Sequence, residues 1–114
     1  MAQRTIRKMN KIVRASARRV LVIGESAARS AEDALAPDGM LILMETDPDL
    51  AKQARERLLQ SGLERRASVI SGDPRRMLHK LSGPFDVIFC DEAHRSLRDK
   101  LGMLLAQDGV LIIQ

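Results

Sequence analysis

The sequence predicts an α/β protein built as a three-layer, doubly wound parallel sheet of five strands in the order 3-2-1-4-5. Three observations predict it. Short apolar runs alternate with helical stretches along most of the chain. Each run is apolar at consecutive positions, so both of its faces are suited to burial between helix layers. Turn and capping residues fall at the junctions. Because parallel crossovers are right-handed, regular βα alternation demands an open sheet with helices on both faces.

Taken in order, residues 1–18 read as a basic amphipathic N-terminal helix with Ile6, Met9, Val13 and Ala17 spaced to face inward. Strands are expected at 19–23 (RVLVI), 40–44 (MLILM), 67–70 (ASVI), 86–90 (DVIFC) and 110–113 (VLII). Helices are expected between them, at about 27–36, 48–61, 74–81 and 93–106. Asp47 followed by Pro48 is an N-cap with proline at the first helical position, and Gly62 stands where that helix should stop. Asp73 and Pro74 repeat the start signal, while Pro37-Asp38-Gly39 and Ser82-Gly83-Pro84 read as turns.

Composition narrows the function classes. The chain has 114 residues, 45% hydrophobic and 30% charged, which suits a single domain with one modest core and excludes a two-domain enzyme. One cysteine, Cys90, cannot form an internal disulfide, and no apolar run approaches the roughly 20 residues needed to cross a bilayer. A reducing, cytoplasmic setting with no membrane partner is expected. With two Phe and no Trp or Tyr, an aliphatic core is expected and stacking platforms for single-stranded bases are not. The net charge of +4 belongs to one arm: residues 1–19 carry seven basic side chains and no acid, leaving 12 basic against 15 acidic side chains in the rest. A nucleic-acid partner would have to use that arm and is not favoured. Such an arm also has the composition of a mitochondrial presequence, but its continuity with the first strand argues against a cleaved leader.

Ligands of doubly wound sheets bind outside the carboxyl ends of the strands, where the strand order reverses. The loops to read therefore begin at Gly24, Glu45, Ser71 and Asp91. In Gly24-Glu25-Ser26-Ala27-Ala28-Arg29-Ser30, the glycine permits a sharp turn and the small residues keep a ligand's approach to the next helix open. Glu45 lies 21 positions beyond Gly24, where a carboxylate can accept both hydroxyls of a ribose; the plainer reading is an exposed strand-end carboxylate. On the ligand reading, truncating Glu45 should cost little stability. Asp73 is either an acceptor for an adenine amino group or only the cap of its helix. Asp91, beside Glu92 and near His94, can hold an amino group or a hard cation; His94 is a base, a ligand or an exposed first-turn residue.

These segments resemble the class I S-adenosylmethionine-dependent methyltransferases, most closely the catechol and caffeoyl-CoA type of O-methyltransferase. The resemblance is carried, in order, by RVLVIG followed by ARSA, LILMETDPDLAKQARERLLQSGLERRASVISGDP, FDVIFCD and LLAQDGVLII, and covers about five-sixths of the chain. It implies a Rossmann-like methyltransferase core over 19–114 and a small-molecule hydroxyl as methyl acceptor. It also implies roles. Gly24, Glu25 and Ser26 would pass beside the methionine part of S-adenosylmethionine, with Ser30 bonding its carboxylate. Glu45 would hold the ribose, Thr46 would lie near the adenine, and Gly72 with Asp73 would border the base. Asp91 would lie near the cofactor's amino group and contribute to a site for a divalent cation such as magnesium. His94 falls where relatives commonly have a lysine that helps deprotonate the acceptor, making Asp91 and His94 the candidate catalytic pair.

Departures from the family pattern are also visible. Val22 stands where an acid is expected, Ser26 and Ala28 replace the second and third loop glycines, and Gln114 replaces a second metal-binding acid. Weakened cofactor binding, reduced activity and an incomplete metal site are the expectation. The family continues past the fifth strand, so residues 110–113 would be an uncovered apolar edge, predicting a homo-oligomer that covers it; a fragment or a shortened paralogue is the alternative.

Competing classes are a non-catalytic binding or assembly module and a nucleic-acid-associated protein using the basic arm. Asp91-Glu92-Ala93-His94 spells a helicase box, but no GxxxxGK[ST] loop accompanies it. An NAD-binding domain fits Gly24 and Glu45 but not Ser26, which occupies the second glycine of GxGxxG.

Overall fold

All five apolar runs become strands of one parallel sheet, and a sixth strand joins them. The computed structural model describes residues 4–6 and 16–114. Its strands are β1 (Arg4–Ile6), β2 (Ala17–Ile23), β3 (Leu35–Glu45), β4 (Ala67–Ser71), β5 (Phe85–Cys90) and β6 (Leu105–Ile113), in the order β1-β6-β5-β2-β3-β4. Counted from the first apolar run, β4-β3-β2-β5-β6 is the expected 3-2-1-4-5 arrangement.

Consecutive residues of the central strand feed opposite layers. Val20 and Val22 pack with Ala28, Ala31 and Ala34 of α1 (Ala28–Ala34) and Ala54 of α2 (Pro48–Gln60). Leu21 and Ile23 pack with Leu78, Leu97 and Leu101 on the other face, which carries α3 (Pro74–Met77) and α4 (Arg98–Gly102). A strand covered on both faces must be apolar at every position, which is why alternation is missing from RVLVI and VLII. The alanines of α1 are fully buried and bring its backbone close to the sheet.

The expected start and stop of α2 are both present. Asp47 Oδ1 accepts from the Asp49 N–H at 2.8 Å, Pro48 occupies the first turn, and Gly62 takes φ +76° just past the end.

Three expectations are corrected. Residues 4–6 and 17–18 of the expected N-terminal helix are strand; its residues 1–3 and 7–15 lie outside the described residues. The helical spacing of Ile6 and Ala17 lost to the unpaired β6 edge, whose open N–H and C=O groups β1 satisfies with Arg4, Thr5 and Ile6 beside Val110, Leu111 and Ile112. The edge expected to invite a second chain is therefore covered along 110–112, and the argument from it for a homo-oligomer falls.

Secondly, Pro37-Asp38-Gly39 is not a free turn but lies within β3, where the register slips between Ala17↔Leu35 and Arg19↔Met40. Arg66 steadies that irregular stretch by donating to the Ala36 and Gly39 carbonyls. Thirdly, the helix expected over 93–106 breaks into a 3₁₀ stretch, Glu92–Leu97, and the short α4, with His94 at the non-helical φ −110°, ψ 17°.

Two members of the basic arm are engaged within the chain. Arg18 pairs with Asp38 at 2.6 Å, and the backbone N–H groups of Arg18 and Arg19 both donate to Asp86 Oδ2. Among the described residues, no helix is long and apolar enough to cross a membrane.

Candidate functional site at the carboxyl edge of the sheet

The strands end level with one another. Ile23 is the register partner of both Met44 and Cys90, and Cys90 is the partner of Ile113. The ladder then runs one residue further: the Gly24 N–H donates to Met44 O, Asp91 N–H to Ile23 O, Gly72 N–H to Glu45 O and Gln114 N–H to Cys90 O, all at 2.9–3.0 Å. Gly24, Glu45, Gly72, Asp91 and Gln114 therefore share one edge, with β2 at the point where the strand order reverses. Asp73 follows on the same side as the cap of α3, accepting from the Arg75 N–H at 2.9 Å.

Glu45 is the one buried charged residue among the described residues, at 7% exposure. Its Oε1 accepts from the Glu25 N–H at 2.7 Å and its Oε2 from the Asp47 N–H at 2.8 Å. Charge-assisted bonds of this kind offset the desolvation of a carboxylate. The side chain is thus a bracket between the loop after β2 and the start of α2, not an exposed strand end. A carboxylate has about four acceptor sites, so each oxygen keeps capacity for one further donor.

Gly24 takes φ +93°, ψ 130° and lies against Asp91: a Cβ at this position would stand 2.6 Å from Asp91 Cγ. Asp91 Oδ1 accepts from the His94 backbone N–H at 3.1 Å and bonds His94 Nδ1 at 2.6 Å. That cap pulls His94 back over the strand tip and produces the break in the helix expected there. His94 is thus partly buried rather than an exposed first-turn residue.

Ser30, on α1, accepts at Oγ from Gln114 Nε2 at 3.1 Å. Gln114 O in turn accepts from the Glu92 N–H, so Gln114 is fastened to both neighbours of Asp91. Ser26 and Thr46 are exposed beside this edge.

The Glu25 side chain is held by Arg57 of α2, which also binds Glu32 of α1 through Nε at 3.1 Å and Nη2 at 2.9 Å. Partial burial would lower the pKa of this guanidinium, but the two carboxylates outweigh that and raise it. Arg57 was not among the sequence candidates. Its signal was there: it lies three residues after the buried Ala54, on the flank of the helix that meets the core, where a cation needs partners.

The donors around Asp91 do not fit the divalent cation expected there. No group of three or more His, Cys, Asp or Glu among the described residues is placed to hold a metal. Asp91 holds His94 through Oδ1, and Gln114 brings a neutral amide where a second carboxylate is expected. Cys90 is no nucleophile: burial, and then the charges of Asp91 and Glu92, push its thiol up to about 12. Two open clefts of about 480 and 470 Å³ lie elsewhere, between the α3 and α4 segments and along α2 and β4.

The O-methyltransferase family model matches residues 6–113, so the chain belongs to the O-methyltransferase family. Among solved structures it is similar to cofactor-bound Rv0187 from MTB, at 29% identity over 85% of this chain and 48% of that one, with TM-score 0.74. It is similar too to the O-methyltransferase TomG from Streptomyces achromogenes, involved in tomaymycin synthesis and solved with SAM, at 27% identity over 87% and 49% with TM-score 0.76. SAH-bound methyltransferase PaMTH1 from Podospora anserina shares the fold at 24% identity, covering 86% and 46%, with TM-score 0.70. The chain spans about half the length of these solved relatives. No curated protein matches it by sequence.

Proposed function

We propose that the chain is the cofactor-binding core of an S-adenosylmethionine-dependent O-methyltransferase acting on a small-molecule hydroxyl. The observation that carries this reading is Glu45: a buried carboxylate at the strand-order reversal, fixed by two backbone N–H groups and with acceptor capacity to spare. Such a group is preorganised for the paired hydroxyls of a ribose. TomG, 27% identical, was solved with SAM, which supports the same cofactor here.

S-adenosylmethionine, when bound, supplies an electrophilic methyl group on a sulfonium. This chain's residues would bind, orient and move a proton. Glu45 accepts from the ribose hydroxyls, Thr46 and the Gly72-Asp73 turn border the base, and the Gly24 to Ser26 loop and Ser30 receive the methionine part. Asp91 holds His94 through Nδ1, leaving Nε2 as the nitrogen that takes the acceptor's proton. No step needs a metal at Asp91. A cytoplasmic setting is part of the same proposal and rests on the single, buried thiol of Cys90.

Calorimetry with S-adenosylmethionine and S-adenosylhomocysteine tests the reading. Saturable binding that Glu45→Ala weakens supports it; no heat at millimolar ligand refutes it. A second reading, a binding module without turnover, is favoured by Gln114, a neutral amide bonded to Ser30 where a second metal-binding acid is expected. Tight binding with no methyl transfer to any catechol-like acceptor would establish that one instead.

A further inference from the structure

The turn that follows Gly24 has little of its own to hold its shape. Neither the 3₁₀ turn Glu25–Ala27 nor the start of α1 has a side-chain cap. The Glu25 backbone N–H nevertheless donates to Glu45 Oε1 at 2.7 Å, a short and well-made bond. The Glu25 carboxylate in turn is bonded by Arg57, well inside α2, which is braced from behind by Glu32. All three side chains are partly buried, with 27%, 23% and 15% exposure for Arg57, Glu25 and Glu32, so the ion pairs are less screened than surface ones. The same helix is capped by Asp47, whose N–H donates to the other oxygen of Glu45. Loop, strand tip and helix thus form one closed circuit: Glu45 to the Glu25 backbone, Glu25 side chain to Arg57, and α2 back to Glu45.

We propose that Arg57 is a positioning residue for the ribose site, fixing the Glu25 backbone on Glu45 and through it the orientation of the Glu45 carboxylate. The inference rests on the reading of Glu45 as the ribose acceptor. Arg57 acts through Glu25 and does not touch the ligand. Glu32 serves to anchor the guanidinium, which without it would be free to swing away from Glu25.

The test uses the full chain with S-adenosylhomocysteine as the probe and a thermal unfolding curve for each variant. Arg57→Met and Glu25→Gln should each weaken binding on the order of tenfold, the range typical of residues that orient a binding group. The double variant should lose no more than one single, since both break the same link. Arg57→Lys should recover part of the loss. Amide hydrogen exchange, read without ligand, should show faster exchange of the Glu25 N–H in Arg57→Met and little change in the body of α2. Additive losses in the double variant, unchanged affinity in Arg57→Met, or exchange raised evenly through α1 and α2 would overturn the proposal. Failure of the functional reading looks different: the wild-type chain would not bind, or Glu45→Ala would bind as well as wild type, and the Glu25 exchange result would still decide the role of Arg57.

Discussion

Asp91 lies directly against the backbone of Gly24, so closely that no side chain larger than hydrogen fits between the tips of β2 and β5. The acid after one strand and the turn after its neighbour are a single packed unit. Two separate constraints meet at this glycine, the positive φ and the carboxylate beside it.

Gly24→Ala should therefore destabilise the chain by about 2 kcal/mol or more, from left-handed strain plus overlap with Asp91. Adding Asp91→Ala should recover the overlap and leave the strain. Denaturant unfolding of Gly24→Ala, Asp91→Ala and the double variant measures both parts; no recovery in the double variant would mean that the contact costs nothing.

Glu45→Ala should lower cofactor affinity and also stability, by about 1 kcal/mol, because it leaves the partly buried N–H groups of Glu25 and Asp47 without their acceptor. The sequence alone led to an expectation of little stability loss, on the picture of a carboxylate facing only ligand. Glu45→Gln keeps one acceptor and should fall between wild type and Ala in both measurements.

His94→Ala should reduce methyl transfer on the order of a hundredfold at saturating cofactor while leaving S-adenosylhomocysteine binding unchanged. Asp91→Asn should cost activity as well, since it weakens the bond that orients the ring. Transfer should be insensitive to EDTA; a chelator-sensitive rate restored by magnesium would return Asp91 to a metal role.

Cys90 gives a pH prediction. Its thiol ionises near 9 when unfolded and near 12 in the fold, so burial favours the neutral form. The unfolded chain releases this proton first, and stability contributed by the buried thiol is complete below pH 9 and lost as pH climbs toward 12. Comparing unfolding free energies of wild type and Cys90→Ala at pH 8 and pH 10.5 isolates the effect: the wild type should lose more.

Removing residues 1–6 should uncover β6 along 110–112 and produce concentration-dependent self-association in sedimentation. A shortened chain that associates no more than the full one would show that the edge is protected in another way.

The sheet was legible because its information is local. Val20 to Ile23 and Val110 to Ile113 declare themselves by apolarity on both faces, and Asp47-Pro48 marks a helix start within two residues. The strand at Arg4–Ile6 was not legible, since it is made by what β6 lacks rather than by its own three residues, whose spacing also suits a helix. In the candidate site, the shared position of Gly24, Glu45, Asp73 and Asp91 followed from their places after strands. The partners did not. Glu45 is held by main-chain N–H groups, which no side-chain pattern reveals, and Arg57 meets Glu25 only after two helices have packed.

The pairing of β1 with β6 also orders assembly in time. Its two strands are the first and last of the six in chain order, so it closes the widest sequence separation among the described strand pairs and gains nothing until β5 and β6 are in place. First of the six strands in chain order, β1 finds its neighbour last, which makes that edge the closing stitch of the sheet.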